Sequence, residues 1–261
     1  MLIVCSNSTR KFCPGGNSKI LIVTEPPKKD ILKLAGTEDE VIAIGGGAVI
    51  DTAKIISKNP IECYPTTAAG SSDTKHSVYW DGERKMNYTS HVPDRVKIDS
   101  NIIKSLPRHI IHQTRYDLIS HCMDSLHSIN NTQESEEFSL RALEIISNSN
   151  DVVDLVEAGR LGGKAIQITT TNLLHALSYP LTGRYDIPHG IALSYLIEKL
   201  KPLFDINLPK LSLSEYMKYT IPTFNTTKID WDWVIEEAYT YNKIEDFCMP
   251  VTKEKLGEML K

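Results

Sequence analysis

Nowhere in the 261 residues does an apolar run approach the roughly 18 positions of a membrane-spanning helix, although 41% of the chain is hydrophobic. The opening Met1-Leu-Ile-Val-Cys-Ser-Asn-Ser lacks a basic segment followed by a full apolar one, so no leader is expected and the sequence predicts a soluble, cytoplasmic protein. Excess basic charge is missing too. Against 29 Lys and Arg stand 33 Asp and Glu, a net charge of −4, which removes any general attraction to nucleic acid or membrane and leaves anionic ligands to local cations. Cysteine is scarce: five residues, at 5, 13, 63, 122 and 248, never spaced as C-x-x-C. An odd, scattered set argues against a disulfide framework and against a cysteine zinc site. Repeats, low-complexity tracts and long linkers are absent as well. What remains is a globular chain able to bury one large core or two smaller ones.

Up to Asp99 the patterning alternates between strand and helix. Leu2 to Val4, Lys19 to Thr24 and Glu40 to Ile44 read as buried strands and Asp30 to Gly36 as a turn and a half of helix. Ala48 to Lys58 reads as a helix with Val49, Ile50, Ala53 and Ile56 on its apolar face. Glu62 to Thr67 ends another strand, the runs flanking Asp81-Gly82 form a hairpin, and Arg95 to Asp99 is a last strand. From Asn101 helical periods take over: Asn101 to Asn130, Glu134 to Ser147, Val152 to Leu161, then Lys164 to Leu177 after a break at Gly162-Gly163. His189 to Leu203, Ser212 to Tyr219, Trp231 to Tyr241 and Thr252 to Leu260 follow. The pattern predicts an α/β domain over 1–99 and an all-α domain over 100–261, packed around a cleft.

Four side chains point to one metal ion. Asp117 and His121, one helical turn apart, project from the same face. His175 closes Asn172-Leu-Leu-His, and His189 stands between Pro188 and Gly190, so two imidazoles bracket a stretch rich in turn formers that reads as a loop. One carboxylate and three neutral imidazoles suit Fe(II) or Zn(II) and leave a coordination position free. Asp124, a turn beyond His121, is expected to support the ligands from behind. The remaining histidines, at 76, 91, 109, 112 and 127, read as ordinary surface or core residues. Upstream, Gly45, Gly46 and Gly47 lie between a strand and a helix, where residues without Cβ let the backbone approach a phosphate and the helix start offers N–H donors. That makes a candidate pyrophosphate site, the alternative being a tight turn with no ligand. Hydroxyls of Thr66, Thr67 and Ser72 in the loop Pro65-Thr-Thr-Ala-Ala-Gly-Ser-Ser-Asp73 offer partners to a ribose or phosphate. Glu25, at a strand end, suits a ribose 2′-OH.

Gly45-Gly-Gly-Ala-Val-Ile-Asp-Thr-Ala-Lys54, the D-x-x-x-H of Asp117 and His121, and the H-x13-H of His175 and His189 resemble, in order and spacing, the signatures of the iron-containing (group III) alcohol dehydrogenases. The resemblance runs from about Ile20 to the C-terminus. It implies a dehydroquinate synthase-like fold, an α/β nucleotide-binding domain followed by a helical metal-binding one. It also implies an NAD(P)-linked alcohol dehydrogenase or aldehyde reductase acting on a small molecule, with a homodimer as its assembly. The cofactor would be NAD or NADP, with Asp51 and Lys54 beside it and Pro65-Thr-Thr as a second cofactor loop. Two departures stand out. The chain is shorter than the family norm, chiefly before the glycine run, and Tyr179 stands where many members carry a further active-site histidine, which makes it a candidate for proton transfer. Ser178 to Gly190 and Ser120 to Leu126 resemble the phosphonoacetaldehyde reductase branch, whose substrate carries a dianion. Arg184, Lys85 and Lys75 are then candidate readers of that charge, Arg184 foremost because a guanidinium grips two oxygens at once. Two rival readings share the framework: a dehydroquinate synthase-like cyclase or lyase, in which metal and NAD serve a transient oxidation, and a non-catalytic, truncated family member.

Overall fold

Apolar runs too short to cross the molecule more than once make the first layer. The computed structural model describes residues 1–105, 107–204 and 225–261; the helix expected over Ser212 to Tyr219 lies outside them. β1 (Leu2–Ser6), β2 (Lys19–Val23), β3 (Val41–Gly45), β4 (Glu62–Pro65) and a two-residue β7 (Arg95–Val96) form a sheet in the order β2-β1-β3-β4-β7. All four pairings are parallel. Ile3, Val4 and Cys5 of β1 are fully buried, as befits a strand covered on both faces. β2 is an edge strand, exposed at Lys19 and Ile20 and part-buried from Leu21 to Val23, so the fully buried strand expected there is corrected: with one neighbour only, it has no partner to cover its outer side.

α1 (Gly47–Ile56) lays Val49, Ile50, Ala53 and Ile56 on one face of this sheet. On the opposite face Ile3, Cys5 and Ile44 meet Ile102 of the short α2 (Ser100–Ile103). Chain direction through the sheet reverses at β1, so the crevice that accepts ligands in such folds opens at the carboxyl ends of β1 and β3. Those ends are Ser6 and Gly45, and the Thr9 hydroxyl ties them by donating to the Ile44 carbonyl at 2.6 Å. The hairpin β5 (His76–Asp81) and β6 (Arg84–Thr89) stands apart as a two-stranded sheet, turning at Gly82 with φ +60°. The helix expected over Asp30 to Gly36 is found over Lys29–Leu34 and winds as the tighter 3-10 form.

The second half is helical: α3 (Arg108–Leu126), α4 (Gln133–Asn148), α5 (Val152–Thr169), α6 (Leu173–Tyr185), α7 (His189–Leu200), α8 (Trp231–Tyr239) and α9 (Lys253–Leu260). Three boundaries differ from the sequence reading. Pro107 caps α3, so the span from Asn101 is two helices. α5 does not break at Gly162-Gly163, because there the missing Cβ atoms serve packing. A Cβ on Gly162 would lie 2.6 Å from Leu118 Cδ1, and one on Gly163 2.5 Å from the Gly70 carbonyl oxygen. The stretch between His175 and His189 is not a loop: α6 continues through Pro180 to Tyr185. An interior proline costs about 3 kcal/mol, which burial of Leu174, Leu177 and Leu181, at roughly 1.5 to 3 kcal/mol each, exceeds.

The two halves meet on backbone. Any Cβ on Gly159 of α5 would collide with Ala68, and Arg160 bridges Asp73 through Nε at 3.2 Å and Nη2 at 3.3 Å. The hairpin docks on the helices in the same way: a Cβ on Gly183 would collide with the Glu83 carbonyl, while Arg84 donates to Thr240 at 2.9 Å and pairs with Glu237 at 3.5 Å. Among the described residues no helix is long and apolar enough to cross a membrane.

Candidate active site

Helical spacing on α3 and the starts of α6 and α7 bring the four expected ligands to one place. Asp117 Oδ1 lies 3.4 Å from His121 Nε2, 3.3 Å from His175 Nε2 and 3.7 Å from His189 Nε2. Gly190 makes the last approach feasible, since any Cβ there would strike the Gln113 carbonyl and push α7 off α3. The rings of His121 and His175 stack with centroids 4.7 Å apart. Ligand atoms of Asp117, His121 and His175 all lie within 4.8 Å of one another, and His189, its side chain 25% exposed, stands at the open side.

Asp124, fully buried one turn beyond His121, fixes the arrangement. Its Oδ2 accepts from His175 Nδ1 at 2.8 Å and from the backbone N–H of Asn172 at 2.9 Å, while Oδ1 accepts from Leu174 N at 3.1 Å. The carboxylate therefore caps α6, where a negative charge is favoured, and holds the His175 proton on Nδ1. His175 Nε2 then meets Asp117 Oδ1 at 3.3 Å, a contact satisfied either by a second proton on the ring or by a cation between the two atoms. Burial alone would raise the Asp117 pKa, yet the surrounding imidazoles hold it well below the carboxylate range. Burial takes His121 down to about 4 and His189 well below its usual value, leaving both neutral. His175 is raised, its bonds to Asp117 and Asp124 outweighing burial. His121 Nδ1 is buried without a hydrogen-bond partner among the described residues.

These observations test the fit of a metal. Four ligand atoms each 2.0–2.1 Å from a tetrahedral ion stand about 3.3 to 3.4 Å apart, close to the three separations around Asp117 Oδ1. The residues present fit a divalent ion.

The cofactor candidates divide. Gly45 to Gly47 lie at the carboxyl end of β3 and lead into α1 with no side-chain cap on Gly46. Packing already asks for the first two: a Cβ on Gly45 would be 2.7 Å from Val49 Cγ2, and one on Gly46 3.0 Å from Thr67 Cγ2. Thr67 thus lies over the turn, and Thr66, buried at 1%, donates its N–H to the Gly45 carbonyl. Lys54 is 2% exposed and donates to the carbonyls of Ser71, Thr74 and His76, so it staples the loop. Ser72 is buried and bonded to Asp73 Oδ2 at 2.7 Å, within the Asp73–Arg160 bridge. Asp51 is buried, its Oδ1 3.7 Å from Lys54 Nζ. Glu25 is exposed and paired with Lys28 at 2.9 Å.

Tyr179 walls the cage: its ring lies 6.2 Å from that of His175 and 6.1 Å from that of His189, and its hydroxyl is 3.4 Å from Thr171 Oγ1. Burial raises its pKa, so the surroundings oppose the tuning that proton transfer from a phenol needs. Lys85 reaches in from β6, its Nζ 4.4 Å from the centre of the Tyr179 ring, while Lys75 is exposed. Arg184 does not join them. It is exposed on the last turn of α6, its guanidinium 4.1 Å above the Trp233 ring, and nine positions, about two and a half helical turns, carry it to the face opposite His175. Lys243, which the sequence did not single out, does reach the wall, donating to Thr171 Oγ1 at 2.9 Å.

A parallel nucleotide-binding-type sheet joined to a helical domain with a three-histidine, one-carboxylate cage defines a two-domain metal-site architecture. Comparison with known proteins narrows it. Residues 111–205 match the family model "Fe-containing alcohol dehydrogenase family, C-terminal". The probable alcohol dehydrogenase EutG of Escherichia coli is 24% identical over 196 residues, 61% of this chain and 50% of that protein. The chain thus spans about half the length of the curated relatives it matches. Among solved structures, the iron-containing alcohol dehydrogenase of Thermotoga maritima superposes with a TM-score of 0.80 at 21% identity, covering 99% of this chain and 90% of that one. The sulfoacetaldehyde reductase of Bifidobacterium kashiwanohense, in complex with NAD+, gives 0.81 at 16% identity, covering 99% and 89%. The chain thus shares its fold with iron-containing alcohol dehydrogenases, and its residues 111–205 match the C-terminal model of that family.

Proposed function

We propose that this chain carries a metal-dependent, NAD(P)-linked aldehyde reductase and alcohol dehydrogenase activity on small substrates, with acid-bearing aldehydes such as phosphonates as the preferred class. One observation carries the reading: Asp117 Oδ1 at 3.3 to 3.7 Å from three imidazole nitrogens, at the mouth of a fold with a glycine turn on its nucleotide-binding sheet. When bound, Fe(II) or Zn(II) supplies Lewis-acid polarisation of a carbonyl and the dinucleotide supplies hydride to its carbon, with a proton from solvent completing the alcohol. Asp117, His121, His175 and His189 would hold the ion. Asp124 keeps His175 in the ligating tautomer, and Tyr179 excludes water from one side of the cage. The turn at Gly45 to Gly47, with Thr67 above it, would seat the pyrophosphate at the start of α1. The preference for an acid-bearing substrate draws support from the neighbour named as a sulfoacetaldehyde reductase.

The test is NADH and NADPH oxidation by metal-loaded protein against a panel of aldehydes that includes phosphonoacetaldehyde and sulfoacetaldehyde. Stoichiometric consumption is expected, lost in His175→Ala together with the metal. Failure to consume either nucleotide with every aldehyde would overturn the reading.

A further inference from the structure

Two lysines from different elements converge on Tyr179. Lys85 comes from the hairpin, its Nζ 4.4 Å from the ring centre. Lys243, on the turn after α8, approaches by way of Thr171, donating to its hydroxyl at 2.9 Å and its carbonyl at 3.3 Å. Thr171 Oγ1 is in turn 3.4 Å from the Tyr179 hydroxyl. Both ammonium groups are half-buried. Among the described residues neither has a carboxylate within 4.0 Å, and no acceptor receives a hydrogen bond from Lys85 Nζ. Burial holds both pKa values below the ordinary lysine range, Lys243 lowers that of Lys85 further, and the carboxylates that act on them, Asp117 and Asp51 on Lys85 and Asp124 and Asp246 on Lys243, do so from beyond 4.0 Å.

Partly desolvated like charges without a counter-ion are costly unless a ligand supplies the opposite charge. The hairpin is clamped by Gly183 and by Arg84 to Glu237 and Thr240, so Lys85 cannot simply swing into solvent with it. We propose that Lys243, with Lys85 opposite it across Tyr179, forms the subsite that binds an oxoacid anion on the substrate while the substrate's carbonyl lies in the Asp117–His121–His175 cage. Lys243 takes the part that proximity in sequence suggested for Arg184. Lys243 reaches Tyr179 through Thr171, at the start of the helix that carries His175, so the anion assigned to it is the acid group of a substrate whose carbonyl lies in the cage. The inference rests on the aldehyde-reductase reading for its substrate, but the anion site itself does not need turnover.

Two measurements test it in metal-loaded wild type, Lys243→Met and Lys243→Arg. In the first, kcat/KM is compared for sulfoacetaldehyde and for neutral propionaldehyde. The ratio of anionic to neutral should fall about 10- to 150-fold in Lys243→Met, mostly through KM, and recover in large part in Lys243→Arg. A ratio within twofold of wild type overturns the assignment. In the second, methylphosphonate is titrated into the same three proteins by calorimetry. At least tenfold weaker binding to Lys243→Met is expected; equal affinities, or no binding to wild type, overturn it. If binding follows this pattern but wild type reduces no aldehyde, the anion site stands and the proposed reaction falls.

Discussion

Replacing Asp124 by Asn tests how the cage is built, because it changes charge and donor pattern but almost no volume. Oδ2 receives the imidazole N–H of His175 at 2.8 Å and the Asn172 N–H at 2.9 Å, and Oδ1 receives Leu174 N at 3.1 Å. An amide has one oxygen. Placed at Oδ2 it keeps two of these bonds and sets its NH2 against the Leu174 N–H, leaving a buried donor unmade at about 1 to 3 kcal/mol. Losing the charge at the start of α6 adds about 0.3 to 1 kcal/mol. Melting should therefore drop by several degrees, since each kcal/mol shifts a chain of this size by about 2 to 4 °C. The second effect is on metal. A neutral partner holds the Nδ1 proton less firmly and makes Nε2 a weaker donor, and loss of such a partner lowers affinity about 10- to 100-fold. Competition for Zn(II) between dialysed protein and a chelating dye measures this directly. Asn172→Ala serves as the control, because it removes an α6 cap and leaves the His175 contact in place; it should lower stability and largely spare affinity. If Asp124→Asn loses stability but binds zinc within twofold of wild type, the carboxylate is only a helix cap and the tautomer argument fails.

Two further outcomes follow from packing and charge. Gly159→Ala should lower stability by about 1 to 3 kcal/mol, because the new Cβ meets Ala68 backbone that cannot rotate away, whereas Gly257→Ala in α9, with nothing within 4 Å, should raise it by about 0.5 to 1 kcal/mol; denaturant titrations giving both changes the same sign would contradict the seam described between α5 and the Ala68–Gly70 loop. Burial sets the Lys85 pKa at about 8 against about 10.4 unfolded, so the folded state binds fewer protons between those values, and the cost of the charge is full below pH 8 and fades as pH rises toward 10.4. Lys85→Met should raise the melting temperature of metal-free protein at pH 7 and lose most of that advantage by pH 10; a pH-independent difference would show that Lys85 carries no such penalty.

What the sequence made legible depended on whether the geometry was local. Asp117 and His121 share a helix turn, so their spacing alone places both atoms, and the glycine run between an apolar strand and a helix announces its own backbone. The purpose of Gly159, Gly163, Gly183 and Gly190 was not readable in the same way. Each is required by a carbonyl or Cα brought up from elsewhere in the chain, from Ala68, Gly70, Glu83 and Gln113. Gly162-Gly163 read as a break for that reason: a missing Cβ weakens an isolated helix, but here it admits a neighbour whose packing more than offsets the loss. Arg184 and Lys243 show the same limit at the site. Standing between two ligand histidines made Arg184 look near, but once α6 is a continuous helix the intervening residues become a rotation and a rise, and its guanidinium ends on Trp233. Lys243 lies 54 positions after His189 in a polar turn with no motif around it, and only the contact with Thr171, at the foot of the helix that carries His175, reveals where its charge goes. The clustering of Asp117 with His121 could therefore be read from local spacing, whereas the positions of Lys85, Arg184 and Lys243 depend on how α6, α8 and the hairpin pack together.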